Sequence, residues 1–394
     1  MTRRKRPGAG VVGVAAVAIA ATALTGPAQA AERDRPATAA AHQATQRAID
    51  AAVAAGVPGV TIEVRDADGV WKSAAGVGDL KTGAPRGKND RFRVTGITDT
   101  FVATVLLQME AEKKLSLDDT VEHWLPGVVT GNGNDGSAIT VRQLLNHTSG
   151  LFDYLADEEY GATYLRGDSY LRHRYDTVTP EQRLKVAFSH APMFTPGAGH
   201  WFSNTNDVLA ALIIEKAGGR SYEDEVRRRI IEPLKLRATS NPGTSTGLPR
   251  PSSRGYSKLL AAQPDRIDDV TEVNGSQSWG NGDIISSAGD LNRFYAALIH
   301  GQLLPPRQLK EMETTVDDPA FPGATYGLNI GRLTLSCGTS LWYRDGGTVG
   351  WISLSAMTED GRHQLTFNYN GDWGAETMLP ILDAEFCGTS SGSR

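Results

Sequence analysis

Apolar residues recur at helical spacing through Ile49, Ala52 and Val53 and stop at Gly56, which predicts a helix near the start of the globular region. Gly59–Val64 and Val70–Ala75 alternate apolar and polar positions on either side of Asp66-Ala67-Asp68-Gly69, the pattern of a β-hairpin. A long helix is expected over Phe101–Lys114, with Val102, Val105, Leu106 and Met109 on one face. From there to about Asn274, helical runs at Thr140–Leu145, Asn206–Lys216 and Tyr222–Ile231 alternate with Gly/Pro-rich loops. Ser240–Ser253 is rich in Pro, Ser and Thr and reads as an exposed loop. Strand patterns return at Leu333–Leu335, Leu341–Tyr343, Trp351–Ala356 and Leu365–Tyr369, before a last helix over Met378–Phe386. Strands at both ends around a helical middle predict an α/β fold. Its antiparallel sheet is built from both termini (42–97 and 275–388) and flanked by helices, with an inserted, mostly helical subdomain (98–274).

The first thirty residues follow another logic. Arg3, Arg4, Lys5 and Arg6 precede the apolar stretch Val11–Leu24, then Pro27 and the small-residue run Ala28-Gln29-Ala30. That order is a secretory signal peptide with cleavage expected after Ala30, followed by a polar linker at 31–41 and, at the other end, a short tail at 389–394. The stretch is short and Ala-rich for a membrane span, and no later segment approaches the required apolar length. The expectation is a secreted, monomeric protein. Removing those four basic charges from a net charge of −5 leaves −9 on the remainder. An acidic body without a basic cluster argues against nucleic acid or an anionic membrane as partner. With 40% hydrophobic residues the chain is too apolar to be disordered, and with 43 Gly it is too glycine-rich for a coiled coil.

Cys337 and Cys387 are the only cysteines, and in an exported chain such a pair is expected to form a disulfide. A zinc site would need further soft ligands at metal spacing, and none is present; neither metal nor cofactor is expected.

Four short segments carry the chemical signal: Asp90–Val94 running into Thr100–Thr104, Leu144–Leu151 with its Asn146-His147-Thr148-Ser149-Gly150, Phe202-Ser203-Asn204-Thr205-Asn206, and Asp345-Gly346-Gly347-Thr348-Val349-Gly350. In order and spacing they resemble the superfamily of serine β-lactamases, D-Ala-D-Ala carboxypeptidases and esterases, in particular the carboxypeptidases secreted by actinomycetes. The resemblance runs from about Gln43 to Cys387 and includes the cysteine pair. It implies a β-lactamase/transpeptidase-like fold. It also implies a catalytic serine opening a helix, a lysine three residues on, a Tyr-x-Asn tyrosine and a His-x-Gly or Lys-Thr-Gly strand.

At those positions the chain reads Gly96-Ile97-Thr98-Asp99, Phe202-Ser203-Asn204 and Arg344-Asp345-Gly346. Gly96 has no side chain to acylate, Asp99 is an anion in place of a base, and Phe202 passes no proton. Thr95 and Thr98 flank the position without a Lys or His base at the familiar spacing. The Gly243-Thr244-Ser245-Thr246-Gly247 run fits a nucleophile elbow in letters only, because prolines surround it and no apolar strand precedes it. His147 reads as a buried turn histidine, and His200 as a residue at the cleft mouth or on the surface.

Asp99 and Arg344 should converge on one cleft, as a salt bridge, as a binding pair for an amine and an anion, or as an acid/base pair. Asn204, Phe202, Phe152, Trp279, Gly346, Gly347 and Trp351 are the candidate substrate-binding residues, and Trp201 is a further aromatic near these motifs. These substitutions lead to the expectation that serine-type hydrolysis has been lost. What remains is a noncovalent acid/base enzyme (isomerase, cyclase or lyase) acting on a small molecule or peptide. The alternative is a silent binding protein for a cell-wall peptide, a β-lactam or a partner, and, behind both, a carboxypeptidase-like hydrolase with an unrecognised nucleophile.

Overall fold

The computed structural model describes residues 41–260, 262–319 and 323–388. The expected signal peptide, most of the linker and the C-terminal tail therefore lie outside the described residues. Nine strands form the main sheet: β1 (Gly59–Asp66), β2 (Gly69–Asp79), β3 (Ala84–Pro85), β4 (Val316–Asp317), β5 (Thr325–Tyr326), β6 (Gly331–Thr334), β7 (Ser340–Thr348), β8 (Trp351–Thr358) and β9 (Gln364–Tyr369). Their order is β4-β5-β6-β7-β8-β9-β1-β2-β3. The β9–β1 junction pairs Val60 with Tyr369 and Val64 with Leu365, so the C-terminal strands meet the N-terminal hairpin in the middle of the sheet. This is the β-lactamase/penicillin-binding-protein-like α/β arrangement expected from the sequence.

The hairpin turn follows from its residues. Asp66 Oδ1 accepts from the backbone N–H groups of Asp68 and Gly69 at 2.8 and 3.2 Å, and Gly69 takes φ +126°, which a side chain would resist. Strand β1 is buried on both faces from Gly59 to Val64. Val60, Ile62 and Val64 face a core built with Ile49 of helix α1 (Gln43–Ala54) and with Ile381 and Leu382 at the C-terminal helix (Met378–Phe386). Glu63, on the opposite face, meets Asn292, whose Nδ2 donates to the Glu63 carbonyl at 3.0 Å, and Lys72, whose Nζ lies 2.9 Å from its carboxylate. The second, larger core lies on that side. It joins helix α2 (Ile97–Ala111), helix α3 (Asn204–Gly218) and helix α4 (Ala288–Ile299).

Helix α2 begins at Ile97, four residues before the apolar pattern announces it. The early turn holds Thr98, Asp99 and Thr100, polar residues that would normally mark a surface; all three are fully buried and bonded instead. Thr100 Oγ1 donates to the Asn329 carbonyl at 2.8 Å, and Thr98 Oγ1 accepts from the Ile284 N–H at 3.3 Å. Among the described residues no helix is long and apolar enough to cross a membrane.

The Cys337–Cys387 disulfide forms, with Cα atoms 5.8 Å apart, and fastens the β6–β7 turn to the end of the C-terminal helix, which we label α5. It closes a loop of 50 residues, for which chain entropy gives a stabilisation of up to ~4 kcal/mol. Reduction is expected to lower the stability by about 2–4 kcal/mol and to steepen the urea dependence, because the denatured chain without its cross-link exposes more surface. Matched denaturation curves with and without reductant measure it.

Candidate active site

Strand β6 reaches only as far as Tyr343 along β7, opposite Gly331. From Arg344 to Thr348, β7 pairs with β8 alone, so its other edge faces the first turn of α2. The approach is close. A Cβ added to Gly346 would come within 2.2 Å of both the Gly96 nitrogen and Thr95 Oγ1, so only glycine lets the strand lie against the mouth of the helix. Gly96 is the residue before α2, and a Cβ there would sit 3.0 Å from the Asp345 carbonyl oxygen and 3.1 Å from the Arg344 guanidinium. The guanidinium thus stands beside the space into which a side chain at 96 would project.

Arg344 and Asp99, whose contact the sequence left open, meet as an ion pair. Arg344 Nη2 donates to Asp99 Oδ2 at 2.5 Å and Nε donates to the Gly96 carbonyl at 3.1 Å, while Nη1 lies 3.8 Å from Asp345 Oδ1. The guanidinium also lies 5.0 Å from the Phe202 ring centre and 5.6 Å from that of Tyr326. Burial pushes the Asp99 carboxyl up to about 7, against the pull of Arg344 in the other direction. Asp99 has zero exposure and is not part of the cleft wall; Arg344, over it, is.

The cleft encloses about 340 Å³. Thr95, Gly96, Phe202, Asn204, Arg344 and the pair Gly346-Gly347 line it. Tyr154, Tyr160, Tyr326 and Tyr343 add aromatic wall, and Trp201, 53% exposed, stands at the rim. Asn204 is held between two partners: Nδ2 donates to Asp153 Oδ2 and Oδ1 accepts from Asn281 Nδ2, each at 2.9 Å.

Three expected wall residues are placed elsewhere, each for a packing reason. Phe152 stacks on His190 with ring centres 3.9 Å apart. Trp279 turns its Nε1 to Glu223 at 2.8 Å and packs against Tyr222. Trp351 is fully buried in the core beneath Arg86 and Gly255. Proximity in sequence to a motif did not fix which side of the backbone these rings take.

His147 is a fully buried structural residue. Its Nδ1 accepts from the Ser203 N–H at 3.1 Å and faces Asn206 Nδ2 at 3.0 Å, leaving Nε2–H to donate to Asn329 Oδ1 at 3.0 Å. Burial holds its proton affinity well below the ordinary histidine range, so it stays neutral. His200 lines the cleft, with Nδ1 3.7 Å from Asp318.

Sequence reasoning missed Asp207 and Asn329. Asp207 is fully buried in the first turn of α3, where its Oδ1 accepts from Asn329 Nδ2 at 2.8 Å. The signal lay in the polar run Asn204-Thr205-Asn206-Asp207, which opens a helix whose next residues are apolar. Thr95 also gains meaning. It takes φ +56°, a backbone region that a β-branched residue rarely adopts, and its Oγ1 donates to the Val94 carbonyl at 2.7 Å. The Gly96 N–H beside it has no hydrogen-bond partner among the described contacts.

The cleft lies between a helix N-terminus and the edge of an antiparallel sheet, with buried charge beneath. The chain belongs to the Beta-lactamase family, whose model matches residues 45–379. It is 50% identical to a D-stereospecific amidohydrolase from Streptomyces sp., with TM-score 0.83, covering 89% of this chain and 99% of that one. It is also 25% identical to the D-amino acid amidase from Ochrobactrum anthropi SV3, with TM-score 0.75 over 87% and 98% of the two chains. Penicillin-binding protein 4* of Bacillus subtilis is 28% identical over 83% of this chain and 71% of its own length. The D-aminopeptidase of Brucella anthropi is 26% identical, and this chain spans 60% of its length.

These relatives correct the functional expectation. Kinship at half identity with an amidohydrolase, over nearly the whole of both chains, overturns the inference that the cleft has left hydrolysis for isomerase, cyclase or lyase chemistry or for silent binding. The catalytic apparatus cannot be counted as lost because Gly96 lacks a hydroxyl. The inference took the side chains at the serine, lysine, tyrosine and histidine positions as the whole apparatus, whereas the cleft also holds a backbone N–H at Gly96, the Arg344 guanidinium and the neighbouring Thr95.

The buried ion pair has a measurable consequence. R344M leaves the Asp99 carboxylate without a counter-charge and should cost about 3–5 kcal/mol at pH 8, less at pH 5 where Asp99 holds a proton. The D99L/R344M double variant should regain a large part of that loss, and urea denaturation of the parent, D99L, R344M and the double variant at both pH values checks the cycle.

Proposed function

We propose that this protein hydrolyses amides whose acyl residue has the D configuration, with the attacking hydroxyl supplied by Thr95, one residue before the family's serine position. On this reading the family's serine, lysine, tyrosine and histidine positions carry Gly96, Asp99, Phe202 and Arg344, and the nucleophile is displaced along the chain. The observation that carries the reading is Thr95 itself, a cleft-lining residue at a helix mouth, its hydroxyl bonded to the Val94 carbonyl, held at φ +56° beside a free backbone N–H. A β-branched residue in that conformation costs of order 1–3 kcal/mol and persists where the surroundings enforce it, a pattern concentrated at active sites.

The roles follow from the geometry. The Gly96 N–H at the positive end of α2 and the Arg344 guanidinium stabilise the negative charge that develops on the substrate carbonyl oxygen. Rotation of Thr95 about χ1 turns Oγ1 from the Val94 carbonyl toward the cleft. In the proposed reaction the hydroxyl proton passes to Asp99, whose Oδ1 is unpartnered and whose proton affinity lies near neutrality, and which sits beneath Arg344 rather than in the cleft wall. Asn204, Gly346 and Gly347 border the acyl chain, and the tyrosines and Trp201 give an apolar wall for its side chain. The D selectivity is supported by the names of the amidohydrolase, amidase and aminopeptidase relatives.

Two predictions test this. On D-phenylalanine p-nitroanilide with its L enantiomer as control, T95A should lose about 10³-fold or more in kcat. T95S should retain turnover, and T95G should be inactive yet raise Tm by relieving the strained φ. Wild-type rates for T95A, or no D-selective turnover in the parent protein, overturn the proposal. In the parent, kcat should rise with pH through about 7, because Asp99 accepts a proton only when ionised, and D99N should abolish that limb.

A further inference from the structure

Beneath the cleft lie two carboxyl groups and one guanidinium. Asp99 on α2 and Asp207 on α3 both have zero exposure, and the two helices pack directly on one another. Arg344 bonds one oxygen of Asp99, and Asn329 donates to one oxygen of Asp207. The remaining oxygens, Asp99 Oδ1 and Asp207 Oδ2, are buried without any hydrogen-bond partner. Buried oxygens are costly unless a donor reaches them, and no protein donor stands within hydrogen-bond distance of either.

The other groups facing the pair supply no second positive charge. His147, whose Nε2 is 3.9 Å from Asp207 Oδ2, is kept neutral by burial and by its two acceptor contacts at Nδ1. Tyr326 and Tyr295, from β5 and α4, are phenols whose burial keeps them protonated. Asp153, Asp283 and Asp345 are further acids and only add negative potential. Two full negative charges against one guanidinium would leave an uncompensated anion in the interior, which proteins avoid by binding a proton.

We infer that Asp99 and Asp207 form one acid pair that retains a single proton at neutral pH, with Asp207 the positioning residue that leaves Asp99 the one negative charge facing Arg344. Asp207 is the natural holder: it lies farther from the cation, its carboxyl is driven well above the ordinary range by burial and then by the Asp99 charge, and Asn329 secures its other oxygen. A proton on Asp207 removes one of the two buried negative charges that a single guanidinium would otherwise face. The inference deepens the proposed hydrolysis, in which Asp99 takes up a proton, but its test needs no substrate.

Carboxyl infrared spectroscopy of the parent in D₂O at pH 8.5, above the range in which Asp99 ionises, should show the C=O stretch of a protonated buried acid. D207N should remove it. D99N should remove it as well, because Asp207 would then be the only carboxylate available to Arg344 and would ionise. If the band survives in D99N, Asp207 is protonated by burial alone and the shared-proton assignment is overturned; absence of the band in the parent overturns it too. Tm measured from pH 6 to 9 provides the second readout. The parent should lose stability with rising pH as the last proton leaves the pair, and D207N should show a shallower fall. An equal fall in the parent and D207N refutes the pair even where D207N is less stable throughout. Loss of D-amidase activity with both spectroscopic results intact would count against the proposed reaction and leave the acid pair standing.

Discussion

The contact between Arg344 and Asp99 organises everything around the cleft. It joins a strand from the C-terminal half of the sheet to the first turn of a helix from the N-terminal half, through a guanidinium that bonds both the Asp99 carboxylate and the Gly96 carbonyl. Desolvating two charges is unfavourable, and the pair is tolerable only because each remaining surface of the guanidinium is used, by the faces of Phe202 and Tyr326 and by Asp345 at longer range. A consequence is that the helix mouth carries charge where an ordinary nucleophile would project. Any chemistry done here must work around, or with, a cation fixed 3.1 Å from the place of a Gly96 Cβ.

Two backbone constraints keep that arrangement in register. Gly346 permits strand β7 to touch Thr95 and Gly96, and the strained φ of Thr95 turns the chain from the Val94 position into the helix. Strain in the one and the absence of a side chain in the other are complementary. The strand cannot retreat without breaking its ladder to β8, so the helix entrance adapts. Rigidity of this kind suits electrostatic stabilisation, which depends on donors already aimed before charge develops.

Much of the fold was legible from periodicity, because alternating and helical patterns report burial directly; the hairpin at 59–75 and the helix at 378–386 are examples. What periodicity could not show was buried polarity. Thr98, Asp99 and Thr100 look like a surface segment and Asp207 like a helix cap, yet all four lie in the interior, each bonded to a residue distant in sequence, such as Ile284, Asn329 or Arg344. The motifs located Gly96, Phe202, Asn204 and Arg344 at one cleft, since order along the chain fixes which elements meet. They did not place Phe152, Trp279 or Trp351, whose rings follow local packing.

The functional misjudgement had a different origin, and it bears on how a displaced site should be recognised. Reading catalysis position by position treats each side chain as irreplaceable, whereas a cleft that stabilises an oxyanion does so chiefly with backbone dipoles and fixed charge. Those parts do not appear as letters at the expected positions: the Gly96 N–H belongs to any residue at 96, and the strand edge at 344–348 is set by where β6 stops. A hydroxyl shifted by one residue approaches the same carbonyl from another direction, and its proton must pass to a group in a different place. In the proposed reaction that requirement ties the location of Thr95 to the ionisation of Asp99, so the buried acid beneath the cleft and the strained turn at its mouth form one chemical problem.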